Sequence, residues 1–313
     1  MPTFAQGSRS SLRYVVESTF GTTPTVDAGS PSIVLPFSSH SLNLTKDLVA
    51  GTDIQSDRMP RHERHGNKQT AGDIVVDLRK GDYDLLLESA MLSAFATDVL
   101  KVGVTPMFFS IEDYSADIDY ARLFTGQTVS TMGVSIAPNQ MVTTTFGMVG
   151  KGMSIGQTQK TQTADTGNSP FDAYSGNMLL HNQGTSLASP THDLPIITQL
   201  DFNVTNSYAP TFVVGSSEAP VLEVGRAEVT GTFSAYFEDD ALINRFLNET
   251  ETAIEVSVDD PTGANPYTFL FPRVKINTAD VGVDGPTSRV ISVGFTSLFD
   301  TTEATNLKIT RTS

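Results

Sequence analysis

Few residues in this sequence are of types that do chemistry, and their spacing argues against most of it. Cysteine is absent, which excludes thiolate metal sites, disulfides and a Cys nucleophile together. The five histidines stand at 40, 62, 65, 181 and 192. Only His62-Glu63-Arg64-His65 brings two of them close, and the pair falls short of the i, i+4 spacing that turns both rings to one helix face for zinc. Gly150-Lys151-Gly152 with Gly156 lacks the Lys-Ser/Thr pair and the helix of a phosphate loop. No Gly-x-Ser-x-Gly elbow joins a strand to a helix. Glu112-Asp113 and Asp259-Asp260 are paired carboxylates, but nothing implies a substrate cleft between them, and solvated strand ends account for them. Asp113–Asp119 lacks the spacing and closing Glu of a calcium loop. Asn43-Leu44-Thr45 and Asn203-Val204-Thr205 match the glycosylation pattern, but the N-terminus has no apolar secretory segment, so they are set aside.

What remains is a contrast of charge. The chain carries a net −15, yet Arg58, Arg61, Arg64 and Lys68, with His62 and His65, are opposed between positions 58 and 68 only by Glu63. The overall charge argues against sequence-independent affinity for nucleic-acid phosphates, and suits a soluble protein or a surface that repels a polyanion. A basic cluster within such a chain asks for an acidic partner, and another copy of the same chain supplies one.

The elements that must position these residues are β-strands. The chain is rich in Thr, Ser, Val and Gly and 39% hydrophobic, enough for packed cores. No apolar run reaches the roughly 18 residues of a membrane span. At 313 residues the length fits two domains. The stretch Ser41–Leu92 reads as strand (42–45), long loop (47–70), strand (72–78) and a helix opening at Asp82, with Leu85, Leu86, Met91 and Leu92 on its apolar face. Gln199–Asn248 repeats the order: strand (200–204), loop (206–225), strand (231–237) and a helix over 240–247. Further runs follow in each half, and Ile111-Glu112-Asp113, Tyr120, Val129 and Thr131 match Val258-Asp259-Asp260, Tyr267, Ile276 and Thr278 at one constant offset. Gly126 is expected to break the run before 128–136. The long first loop is basic and the second carries Glu218 and Glu223 with no Lys or Arg; hairpin loops of such length tend to be functional or disordered. Residues 156–169, rich in Gln, Thr and Gly, read as a linker.

The expected fold is therefore mainly β, with two tandem domains, each a β-sandwich or partial barrel with one short flanking helix. An N-terminal arm and the first domain occupy 1–155, a linker 156–170 and the second domain 171–313.

Three runs in this order resemble the major tail tube proteins of long, non-contractile-tailed bacteriophages. They are the arm from Arg13 through Tyr14 and Phe20 to Pro24, the strand-to-helix run Val229–Asp239, and Leu270-Phe271-Pro272-Arg273-Val274-Lys275. The resemblance covers nearly the whole chain. It implies a structural virion protein, with no cofactor and no catalytic role, whose copies form rings stacked into a hollow tube that conducts DNA. Arg13, Tyr14 and Phe20 would then belong to an arm that contacts a neighbouring subunit. Arg58, Arg61, Arg64 and Lys68 would reach along the tube axis to the next ring. One domain per chain and six chains per ring is the usual pattern of that family; a fused pair departs from it and implies a trimer with pseudo-sixfold symmetry. The implied partners are further copies, tail tip, tape measure and terminator proteins, with DNA passing unbound and no membrane insertion. The implied place is the virion tail, assembled in the host bacterial cytoplasm. The competing reading is a two-domain adhesin that binds a receptor, which the absence of Trp and only eight Tyr disfavour. A polysaccharide-degrading enzyme lacks its carboxylate constellation.

Overall fold

The computed structural model describes residues 4–27, 31–156, 161–182, 196–263, 265–283 and 285–312. The first half contains β1 (Ser10–Val16), β2 (Ile33–Leu35), β3 (Ser39–His40), β4 (Asn43–Ala50), β5 (Glu63–Asp77), α1 (Asp84–Met91), β6 (Val99–Lys101), β7 (Phe109–Ser115), β8 (Tyr120–Ile136), β9 (Thr143–Gly150) and β10 (Gly152–Gly156). The second contains β11 (Asp172–Asn182), β12 (Ile197–Thr205), β13 (Ala209–Thr211), β14 (Val221–Glu223), β15 (Glu228–Tyr236), α2 (Ala241–Leu247), β16 (Thr252–Asp259), β17 (Tyr267–Val281), β18 (Val290–Ser297) and β19 (Lys308–Arg311). The mainly β class expected from the sequence is the class observed.

Strand pairing follows the same order twice. In the first half β1 pairs β7, β7 pairs β8, β8 pairs β9, β9 pairs β5 and β5 pairs β4, all antiparallel. In the second, β11 pairs β16, β16 pairs β17, β17 pairs β18, β18 pairs β15 and β15 pairs β12. Within each half one long strand, β8 or β17, bends from one sheet layer into the other, giving sandwich-like packing around an apolar core. The core is formed by the inward residues of alternating strands, such as Ile74, Phe124, Phe146, Phe233, Phe269 and Phe295, all at most 1% exposed.

The bends correct one expectation and carry a proline. Gly126 does not end a strand: β8 runs through it, and its φ of +64° lets the ring of Phe20 approach where a Cβ would stand 2.7 Å away. In β17, Pro272 lies inside a continuous strand, next to the register shift between Thr252 and Ile254 of β16, where a missing N–H is tolerated.

The two halves are joined edge to edge. β12 pairs the outer edge of β8 from Leu200↔Ile136 to Thr205↔Thr131, and β19 pairs β6. One antiparallel sheet thereby runs β4-β5-β9-β8-β12-β15-β18-β17, four strands from each half. Residues 161–170 carry no helix or strand and are tied to the first half through Asn168 Nδ2, which donates to Lys80 O at 2.8 Å, and Thr166 Oγ1, which donates to Asp82 Oδ1 at 2.6 Å.

Candidate functional site

The eight-strand sheet has two faces of opposite character. Along β12, β15 and β18 buried and open residues alternate, with Phe202, Phe233 and Val293 inward. The outward face carries Thr131, Gly133, Ser135 and Thr145 on the first half, and Asn203, Thr230, Thr232 and Ser292 on the second. Its carboxylates include Asp73, Asp201 and Asp280. Lys275, at the far edge, is neutralised by Glu249 at 2.7 Å. A shallow depression of about 440 Å³ crosses the β8–β12 junction and is lined by Gly133, Ser135, Asn203, Thr230 and Thr232. Hydroxyl and glycine surface of this kind, with acids and, among the described residues, its edge cation Lys275 already paired, offers a polyanion little to bind.

The basic cluster is only partly a loop. β4 and β5 zip together beyond the expected strands, with Val49 opposite Arg64 and Lys46 opposite Lys68, so Arg64 and Lys68 stand on β5. The connecting residues 51–62 are exposed throughout, including Ile54 at 99% and Met59 at 64%. Arg58 has φ +63° at the turn, and Arg61 pairs with Asp57 at 2.5 Å. Lys68 has a partner in its own chain: its Nζ lies 2.8 Å from Glu218 Oε1, and its N–H donates to Ser217 O at 2.8 Å. The acidic second loop and the basic first hairpin thus meet within one chain. An exposed pair of this kind is worth about 0–1 kcal/mol, so it orients the loops more than it stabilises the fold. His62 lies in the turn and His65 on β5, not on a helix, and among the described residues no group of His, Asp and Glu is placed to hold a metal. His192 and the side chain of His181 lie outside the described residues.

The arm residues separate. Arg13 and Tyr14 belong to β1 and are 0% and 2% exposed; Arg13 lies 3.5 Å from Glu112, and Tyr14 stacks edge-on against Phe109. These two side chains are spent inside their own half. Phe20 is half-buried, against Phe108 at 4.8 Å and under Lys151. Glu17, which the sequence did not single out, positions this segment: its carboxylate accepts from Gly21 N at 2.6 Å, Ser110 Oγ at 2.6 Å and Gly126 N at 2.9 Å.

The paired acids are not solvated strand ends. Glu112 and Asp113 are 3% and 6% exposed, and Asp259 and Asp260 are both 7%. Asp113 accepts two bonds from Arg122 and faces His40 Nε2 at 3.7 Å. Asp260 caps the turn at 260–263, accepting from Thr262 N, and Asp259 accepts from Asn265 N. Each acid serves the fold.

A family model for phage tail tube proteins matches residues 7–297. The chain belongs to the phage tail tube protein family. The resemblance read from the arm, the strand-to-helix run and the Leu270–Lys275 run agrees with that match, and the tail tube protein is a structural component of a virion tail. No curated protein matches the sequence. None of the helices among the described residues is long and apolar enough to cross a membrane.

Proposed function

We propose that this tail tube protein closes into rings of three chains, that the rings stack into the tube of a long non-contractile tail, and that DNA passes along the outward face of the eight-strand sheet. The observation that carries this reading is the sheet itself. It continues from one half of the chain into the other, ends in two edges that no strand pairs among the described residues, and presents one cation-poor polar face. A sheet with unpaired edges invites further copies, and two matching halves per chain make three chains equivalent to six units. A ring of three carries three times the −15 of one chain, which keeps DNA sliding rather than bound. Residues 1–155 and 171–313 are the two ring units and 156–170 the connection. Tape measure, tail tip and terminator proteins meet the tube inside and at its ends, and assembly takes place in the host bacterial cytoplasm.

In this reading the 51–62 connection, with Arg58 and Arg61, and the adjoining Arg64 of β5 reach the acidic surface of the next ring, while Lys68 secures the base of the hairpin through Glu218. Reversing Arg58, Arg61 and Arg64 to Glu is expected to leave rings intact and to shorten or abolish tubes in negative-stain images. Tubes of normal length would remove the hairpin from the inter-ring contact. Six whole chains per ring by native mass measurement would overturn the trimer.

A further inference from the structure

Among the described residues there is one junction between the halves of this kind, and each of its two sides is present a second time, unpaired. At that junction the outer edge of β8 meets β12. β17 is the counterpart of β8: both shift register against the following strand at the same place, between Val129 and Thr131 and between Ile276 and Thr278. β4 is the counterpart of β12: Asn43 of one Asn-x-Thr stands opposite Ala71, and Asn203 of the other opposite Thr230. β17 and β4 are the two ends of the eight-strand sheet. Among the described residues, no strand pairs the outer edge of β4 or of β17 beyond Val274.

Burial tells the same story. At the filled junction Met132, Val134 and Val204 are 0%, 2% and 1% exposed. Their counterparts at the open edges, Ala279, Val281 and Leu44, are only half-buried. The helices differ likewise. α1 buries Leu86, Leu87 and Met91 completely, and the second half helps to cover it: Asn206 Nδ2 donates to Ala90 O at 2.8 Å, and Tyr267 OH to Asp84 Oδ1 at 2.6 Å. α2 sits on β17 as α1 sits on β8, yet it has no buried residue, and Leu247 is 68% exposed. What α2 and β17 lack is what the second half gives to α1 and β8.

We infer that β4 of a second copy adds antiparallel to the open edge of β17 in the register of the internal junction, and that the same copy covers α2. Carrying Asn203↔Gly133, Val204↔Met132 and Thr205↔Thr131 over to the open edges places Asn43 opposite Asp280, Leu44 opposite Ala279 and Thr45 opposite Thr278. This deepens the ring reading and rests on it: each chain supplies both halves of the contact, so repetition of one junction closes the ring.

The native chain has no cysteine, so engineered thiols report without background. Asn43→Cys with Asp280→Cys, and Thr45→Cys with Thr278→Cys, place thiols at directly opposed positions, within the Cα separation a disulfide spans. The same substitutions recombined, Asn43→Cys with Thr278→Cys and Thr45→Cys with Asp280→Cys, lie two residues out of register. Because β4 and β17 end the sheet on opposite sides, a disulfide between them joins two chains. Mild oxidation of the assembled full chain is expected to give covalent multimers about tenfold more readily in the matched pairs than in the recombined ones. Leu247→Asp is expected to leave the melting temperature of the unassembled chain unchanged and to reduce ring yield. Rings visible by microscopy with no preference for the matched pairs would overturn the register and leave the ring reading standing. A chain that stays monomeric at every concentration, uncross-linked, would overturn both.

Discussion

Asp113 is the residue whose environment makes the clearest claim about stability. Burial pushes its carboxyl up, but bonds to His40 and Arg122 outweigh burial and hold it below its ordinary range. A carboxylate depressed in the folded chain contributes stability that is fully present above its unfolded value of about 3.9 and is lost as pH falls through the lower folded value. Asp113→Asn is expected to cost about 1.5–3 kcal/mol at neutral pH, the worth of hydrogen bonds to a charged group, measured by urea unfolding. The gap between variant and native chain should close as the pH drops below about 4. A gap that persists unchanged to pH 2 would show that the charge is not its source. Glu17 and Arg13 belong to the same class of buried charged side chain, and all three tie β1, β7 and β8 together. None was legible as a structural pair in the sequence: Glu17 and Arg13 find their partners on strands far along the chain, and the Asp113–Arg122 pair depends on the register of β7 against β8.

Whole elements were more legible than their partners. Alternating apolar residues placed most strands, and a constant offset revealed the repeated order, because both signals are read along the chain without knowledge of how it packs. The strand ends were not legible where Gly126 mimics a break, or where the β4–β5 extension is open on both faces and shows no alternation. Nor could the sequence tell α1 from α2: both carry an apolar stripe, and only tertiary packing covers one of them. The repeat does leave a matched pair of glycines. Gly147 stands opposite Thr131 and Gly294 opposite Thr278, each just past the register shift. A Cβ at Gly147 would run into Thr131 Oγ1, and one at Gly294 would lie 2.7 Å from Thr278 Oγ1. Gly147→Ala is expected to cost about 1–3 kcal/mol, the usual penalty of overpacking. Adding Thr131→Ala should recover most of it, since the next atoms, Asp73 Oδ1 and Thr131 Cβ, are 3.3 and 3.5 Å away. Additive losses in the double variant would place the strain elsewhere.

At the scale of the molecule, the duplicated order suggests two domains, but the contacts between them predict one folding unit. β8 serves both halves: its first part pairs β7 and β10, and its second part pairs β9 on one edge and β12 on the other. At the far end Arg311 pairs with Asp84, lies 3.2 Å from Asp98 and covers the Phe95 ring at 4.3 Å. Tyr267, its phenol raised by burial and by Asp84, donates to that same carboxylate and accepts from Gly81 N at 2.9 Å. Freeing either half would expose the edge of β8, unpair β6 from β19 and uncover α1 together. These losses are too many for a state with one half unfolded to be populated. The unassembled chain is therefore expected to melt in one calorimetric transition whose enthalpy equals its van't Hoff enthalpy. Arg311→Ala should lower stability by about 1–3 kcal/mol, because Asp84 and Asp98 lose their shared cation, and shift that transition without dividing it. Two resolved transitions in the native chain would mean that the repeats fold independently and that the junction only docks them, in which case Arg311→Ala would separate the two peaks further.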